Sequence, residues 1–103
     1  MNMKKMKECL IDIIMKYLNH ETTMKELNTF AWSLIEYFSS TNKEKLPPIE
    51  DFENEFWHAI WQIQHLSDEK HEQSGITAKT LANALDYLEK RKKIPKEYYG
   101  MRP

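Results

Sequence analysis

Residues 23–38 read TMKELNTFAWSLIEYF, and this segment indicates how the chain folds. Thr23 and Glu26 form a capping box, in which the hydroxyl accepts from a free backbone N–H and the glutamate reaches back to the helix start. Apolar side chains then recur at steps of three and four residues, which places them on one face of a helix. They are Leu27, Phe30, Ala31, Leu34, Ile35 and Phe38, with Trp32 and Tyr37 widening the stripe. This breadth predicts a helix that is covered on two sides.

The same spacing predicts three further helices, over residues 3–19, 48–66 and 77–92, followed by a tail over residues 96–103. The third helix is expected to begin near Pro48, because proline is tolerated in a first turn. Thr77 is expected to cap the fourth. The expected core faces are Met6, Leu10, Ile13, Ile14, Tyr17 and Leu18 in the first helix, Phe52, Phe56, Ala59, Ile60, Ile63 and Leu66 in the third, and Leu81, Ala84, Leu85 and Leu88 in the fourth. Trp57 and Trp61 form a second stripe on the third helix.

Composition agrees with an all-α fold. The chain has 103 residues, which suits one domain, and its 41% hydrophobic and 30% charged residues are typical of a globular protein. Valine is absent and only two glycines occur, whereas a sheet would need more β-branched residues and more turn glycines. We therefore expect residues 1–103 to form a single domain, a compact bundle of four main helices.

The sequence lacks the patterns that would indicate an enzyme or a cofactor. Gly75 and Gly100 cannot form a glycine-rich phosphate loop, and no nucleophile motif is present. The candidate metal ligands contain no pair of histidines four residues apart. These ligands are His58, His65, Asp68 and His71. We predict no catalytic activity, no cofactor and no metal site.

One cysteine and the absence of a long apolar run favour a cytoplasmic protein. Cys9 cannot form an internal disulfide and is expected to be a small core residue. Glu8, Asp12 and Lys16 interrupt the apolar residues near the N-terminus, which argues against a signal peptide. No stretch approaches the roughly 20 apolar residues that span a bilayer. We expect no membrane partner.

Charge is segregated along the chain although the net charge is only −1. Residues 50–72, EDFENEFWHAIWQIQHLSDEKHE, contain seven acids and one base, Lys70. The last fifteen residues, 89–103, contain six bases and two acids. Helix dipoles explain part of this pattern. The acidic segment also suits a basic protein partner, because complementary charge speeds encounter and fixes register.

A small, helical, acidic chain of this kind resembles the immunity proteins of bacterial toxin systems, of the contact-dependent growth inhibition and colicin types. The resemblance lies in size, charge and helical character over the whole chain, with residues 50–72 and the closing LDYLEKRKKIPKEYYGMRP, residues 85–103, as its relevant stretches. It implies a protein that binds a cognate toxin and blocks its active site. Where the toxin is a nuclease, acidic side chains take the place of phosphates. The basic C-terminal stretch departs from a pure nucleic-acid mimic.

The resemblance also assigns roles to residues. It implies electrostatic steering of a basic toxin by Glu50, Asp51, Glu53, Glu55, Asp68, Glu69 and Glu72, with Trp57 or Trp61 as an apolar anchor. One alternative is a helical regulator or adaptor that forms a homodimer through the Trp57 and Trp61 stripe. Another is a nucleic-acid-binding protein that uses Lys90 to Lys96. A pI of about 6.4 and a connection of about ten residues before the third helix, too long for a helix-turn-helix, argue against nucleic acid.

Overall fold

Four α-helices form where the apolar spacing predicts them. The computed structural model describes residues 2–68 and 74–103, with side chains except at residues 67–68 and 74–76. The helices are α1 (Met3–Leu18), α2 (Met24–Ser40), α3 (Glu53–Asp68) and α4 (Ser74–Leu88), and two 3₁₀ turns lie at Lys43–Lys45 and Lys96–Tyr98. The prediction of an all-α bundle is confirmed.

Local capping fixes where α1 and α2 begin. Asn2 Oδ1 accepts from the backbone N–H of Lys5 at 3.2 Å, and Thr23 Oγ1 accepts from that of Glu26 at 3.3 Å. The predicted capping residue of α2 is therefore confirmed. The other half of the capping box differs, because the Glu26 carboxylate accepts from the Thr22 hydroxyl. Each cap satisfies a backbone donor that has no partner within its own helix.

The helices are arranged so that neighbours in the chain are neighbours in the bundle. α3 packs against α2 and α4, and α1 packs against the same two helices. Trp57 lies at the centre and makes edge-to-face contacts with Phe38 and Phe56, at ring-centroid distances of 4.8 and 4.9 Å. The predicted core face of α4 is buried throughout, and that of α3 is buried except for the half-buried Leu66.

Several local expectations were wrong. α3 begins at Glu53 and not near Pro48, and α4 begins at Ser74, three residues before Thr77. Trp32 remains 39% exposed, so the apolar stripe of α2 is not buried across its full width, although the helix packs against both α1 and α3. Cys9 is exposed and does not belong to the core.

Candidate partner-binding surface

Glu53 was expected on an exposed acidic face, but it is buried at the start of α3, with 5% of its surface exposed. Both carboxylate oxygens accept hydrogen bonds from the guanidinium of Arg102. Oε1 also accepts from the Trp57 indole N–H at 2.9 Å, and Oε2 accepts from the backbone N–H of Glu50 at 2.6 Å. All four donors belong to this chain, so Glu53 is a structural anion here, and its placement on a binding face is corrected.

The environment of Glu53 favours its charged form. Burial raises the pKa of this carboxyl, but the hydrogen bonds from Arg102, Trp57 and Glu50 together with the positive charge of Arg102 outweigh it. The net result is a pKa below the ordinary value of 4.5. The site therefore holds a fixed negative charge at neutral pH.

Glu55 is also buried, with 8% of its surface exposed, and it too faces a base from the C-terminal part of the chain. Lys90 Nζ lies 2.9 Å from Glu55 Oε1. Glu55 Oε2 is buried and has no hydrogen-bond partner among the residues that the structure describes. Like Glu53, Glu55 is not available on an open acidic surface, which corrects its predicted placement.

The two tryptophans of α3 do not form an exposed stripe. Trp57 is completely buried, so neither an anchor to a partner nor a dimer contact can use it in this fold. Trp61 is half-buried, and its indole N–H donates to the backbone carbonyl of Met101 at 2.8 Å. The predicted stripe is wrong, because one indole fills the core and the other is covered by the end of the chain.

The last eight residues, 96–103, are docked on α3 and form what we call the C-terminal segment. The backbone N–H of Gly100 donates to Asn54 O at 2.9 Å, and Arg102 Nη2 donates to the carbonyls of Pro47 and Pro48 at 2.9 and 3.1 Å. A Cβ at Gly100 would lie 2.0 Å from His58 N, so only glycine allows this approach. The sequence offered one signal for this docking, a glycine among bulky residues.

Of the remaining acids of the predicted face, only Glu50 and Asp51 have side chains among the described residues. Glu50 and Asp51 are exposed immediately before α3. Asp68 is the last residue of α3, whose 16 residues span about 24 Å at 1.5 Å per residue. It therefore lies at the opposite end of the helix from Glu50 and Asp51. The Asp68 side chain, Glu69 and Glu72 lie outside the described residues. The acids that the structure describes therefore form no continuous face along α3.

An exposed apolar corner lies beside Glu50 and Asp51, and sequence analysis missed it. We define the α2–α3 corner as residues 46–51 with Met101, Arg102 and Pro103. Ile49 and Met101 are each 78% exposed. Next to Ile49, an open groove of about 490 Å³ is lined by Phe38, Lys43, Leu46, Pro47, Pro48, Ile49, Arg102 and Pro103. In the corner, Arg102 bonds to carbonyls that lie 55 and 54 residues away along the chain.

The basic residues that suggested nucleic-acid binding are largely engaged within the chain. Arg91 pairs with Asp86 and Glu89, and Lys92 pairs with Asp86. With Lys90 on Glu55, three successive bases at the end of α4 contact acids of the same molecule. They form a local charge network and not an open basic stripe.

Residues 2–68 and 74–103 contain no group of three or more histidine, cysteine or acidic side chains placed to hold a metal ion. Of the predicted candidates, His65 is exposed and His71 lies outside those residues. No helix in the described part of the chain has the length and apolar character needed to cross a membrane.

Comparison with protein-family models, curated proteins and solved structures found no match.

Proposed function

We propose that this chain is a binding protein that neutralises a bacterial toxin, in the manner of an immunity protein, and that it contacts the toxin through the α2–α3 corner. The observation that carries the proposal is the exposure of Ile49 beside the exposed acids Glu50 and Asp51, because isoleucine is usually buried in the core. An apolar anchor inside a polar rim is typical of protein interfaces.

The corner is held in one shape before any partner arrives, which supports a binding role. Pro47 and Pro48 restrict the backbone, and Arg102 joins their carbonyls to Glu53. A surface that is already ordered loses little conformational entropy on association. Ile49 is therefore presented from a fixed position.

Charge supports a basic partner. Glu50 and Asp51 follow Ile49 directly, and the structure gives neither an ion pair with the described part of the chain. Glu53 is neutralised internally by Arg102, so the two exposed acids carry the negative charge at this corner. A toxin with a basic active surface is the partner that they would steer.

The test begins with the genes adjacent to this one, since an immunity gene normally lies directly after its toxin gene. Each neighbouring product is expressed alone and together with this chain, and growth is measured. We expect one product that stops growth alone and is neutralised by co-expression. The proposal fails if no neighbouring product is toxic, or if none is neutralised.

Purified toxin domain then tests the surface. Ile49→Asp should weaken binding by about 100-fold, as expected for a central anchor. Glu50→Lys with Asp51→Lys should slow association about tenfold, and less at high salt. Glu8→Lys with Glu21→Lys is the matched control, because it makes the same charge change at exposed positions outside the residues that define the corner. Equal binding by all variants would place the interface elsewhere.

A further inference from the structure

A second cavity, unconnected with the α2–α3 corner, lies between α3 and α4. Its volume is about 240 Å³, and it is lined by His58, Gln62, Thr80, Asn83, Tyr87 and Tyr98. The first two residues come from α3, the next three from α4, and Tyr98 from the C-terminal segment. Three parts of the chain therefore build the cavity, and the C-terminal segment completes its lining with Tyr98.

Aromatic rings form one side of the cavity. The Tyr98 ring stacks on the His58 imidazole at an interplanar angle of 18° and a centroid distance of 5.8 Å. The Tyr87 ring meets the same imidazole edge-on, at 5.5 Å. His58 is buried beneath them, with 9% of its surface exposed. Flat apolar surfaces held at fixed angles suit a flat ring.

The other side offers neutral hydrogen-bonding groups. Asn83 Oδ1 already accepts from Lys92 Nζ at 3.0 Å, so its amide N–H groups are the part left to donate. Gln62 and Thr80 are half-buried, and their side chains make no hydrogen bond within the described part of the chain. An amide places a donor and an acceptor side by side in one plane, which complements the edge of a nucleobase.

The lining also limits charge and size. None of the six lining side chains is an acid, a lysine or an arginine. Burial lowers the pKa of His58, and this effect outweighs the hydrogen bond with the Tyr98 backbone, which raises it. The imidazole is therefore neutral at pH 7. A charged group placed here would lose hydration, and no side chain of the lining carries an opposite charge. The volume lies below the range of roughly 300–1,000 Å³ that holds drug-sized ligands. A single small ring system fits these limits.

We propose that this cavity binds a neutral planar heterocycle of the nucleobase type, with Gln62 and Asn83 reading its edge and Tyr87, Tyr98 and His58 forming the surface on which it packs. Enzymes and single-strand binders read isolated bases with the same combination of aromatic surfaces and amide edges. The base can be free or part of a nucleotide, since the cavity contacts only the ring.

The test is an NMR titration of the full ¹⁵N-labelled chain with uracil and with adenine. We expect saturable shifts in amides around the lining residues for at least one base, with a Kd on the order of 1 mM, as suits so small a ligand. 1,3-Dimethyluracil has the same ring without N–H donors and should bind about tenfold more weakly than uracil if that is the base that binds. Uridine monophosphate and adenosine monophosphate distinguish the sources, because tighter binding than the free base identifies a nucleotide.

Gln62→Ala should abolish saturable shifts, while Gln64→Ala should leave them unchanged. Both glutamines are half-buried on α3, but only Gln62 lines the cavity. Three results would overturn the proposal: no saturable shifts with either base, equal affinity for uracil and its dimethyl analogue when uracil binds, or undiminished binding by a folded Gln62→Ala variant.

Discussion

Glu53 and Glu55 lie two residues apart on α3, and both are buried opposite a base from the C-terminal part of the chain, yet only one is fully satisfied. Glu53 accepts four hydrogen bonds, two of them from the planar guanidinium of Arg102. Glu55 accepts one from Lys90, whose side chain is 56% exposed, and its second oxygen has no partner among the described residues. The two buried carboxylates therefore differ in how many of their oxygen atoms are hydrogen-bonded.

The difference follows from the two cations. Arginine presents several donors in a rigid fork, so Arg102 can bond both oxygens of Glu53 and two backbone carbonyls together. Lysine is a single hydrated charge at the end of a flexible chain. The Arg102 site therefore joins the C-terminal segment, α3 and the loop before α3, whereas the Lys90 site joins only the end of α4 to α3. We expect stability to depend much more on the first.

The largest effect is expected for Gly100→Ala. The new Cβ would lie 2.0 Å from His58 N and 2.3 Å from the Trp57 carbonyl carbon, and both are helix backbone atoms that cannot move aside. The C-terminal segment should therefore detach and take Arg102 away from Glu53. We expect a loss of about 4 kcal/mol in unfolding free energy, measured by denaturant titration. The Trp61 indole N–H resonance should shift at the same time, since its acceptor is Met101 O.

Glu97→Ala is the control for Gly100→Ala, because Glu97 is exposed in the same segment. It should change stability by no more than about 0.5 kcal/mol. A Gly100→Ala variant as stable as Glu97→Ala would mean that the segment contributes little, and the contrast between the two glutamate sites would lose its basis.

The next effect is expected for Glu53→Gln. Both oxygens of Glu53 accept from donors, so an amide must turn its own N–H₂ group towards a donor and also gives up the charge that Arg102 neutralises. Removing one partner of a buried pair typically costs about 3 kcal/mol. Denaturant titration at pH 7 measures the loss. A stability within about 0.5 kcal/mol of the original chain would contradict the assigned role of Glu53.

Acidification separates two buried titratable groups of this region whose pKa values are shifted, Glu53 and His58. Burial lowers the pKa of His58 below 6.5, so the unfolded chain binds a proton there before the folded chain does. Stability from this group is therefore complete above pH 6.5 and falls as the pH drops below it. The contribution of Glu53, whose pKa is lowered, is complete above about 4.5 and is lost as the pH falls further.

We therefore expect His58→Gln to flatten the dependence of unfolding free energy on pH as the pH falls below 6.5, and Glu53→Gln to flatten it as the pH falls below 4.5. Denaturant titrations at a series of pH values measure both slopes. His65→Gln is the control for the first window, since His65 is exposed on the same helix. Slopes that do not change in His58→Gln would mean that His58 is protonated equally in both states.

Much of this fold could be predicted from the sequence, because helix cores repeat at a fixed spacing. Leu81, Ala84, Leu85 and Leu88 were assigned to the core by that spacing alone, and all four are buried. The start of α3 could not be found in this way. Acids and prolines over residues 47–51 suit a first helical turn, but they instead form the loop that Arg102 holds.

The candidate surface was harder to predict, because charge counts do not reveal pairing. Glu53 and Arg102 are 49 residues apart, and Glu55 and Lys90 are 35 apart, so no local pattern joins them. One local signal was available. Glu53 lies four residues before Trp57, and residues with this spacing share a helix face. The spacing alone therefore indicates that this carboxylate lies beside the Trp57 indole, on the buried side of α3.

The smallest effect is expected for Glu55→Gln, which makes the same chemical change as Glu53→Gln two residues away. The amide oxygen can keep the hydrogen bond from Lys90, and the N–H₂ group can occupy the position of Oε2, where no bond is lost. The change also removes a buried charge that only one exposed lysine balances. We expect unfolding free energy at pH 7 to stay within about 0.5 kcal/mol of the original value or to rise. A loss similar to that of Glu53→Gln would mean that Glu55 has a second partner in solution, and that the two sites are equivalent after all.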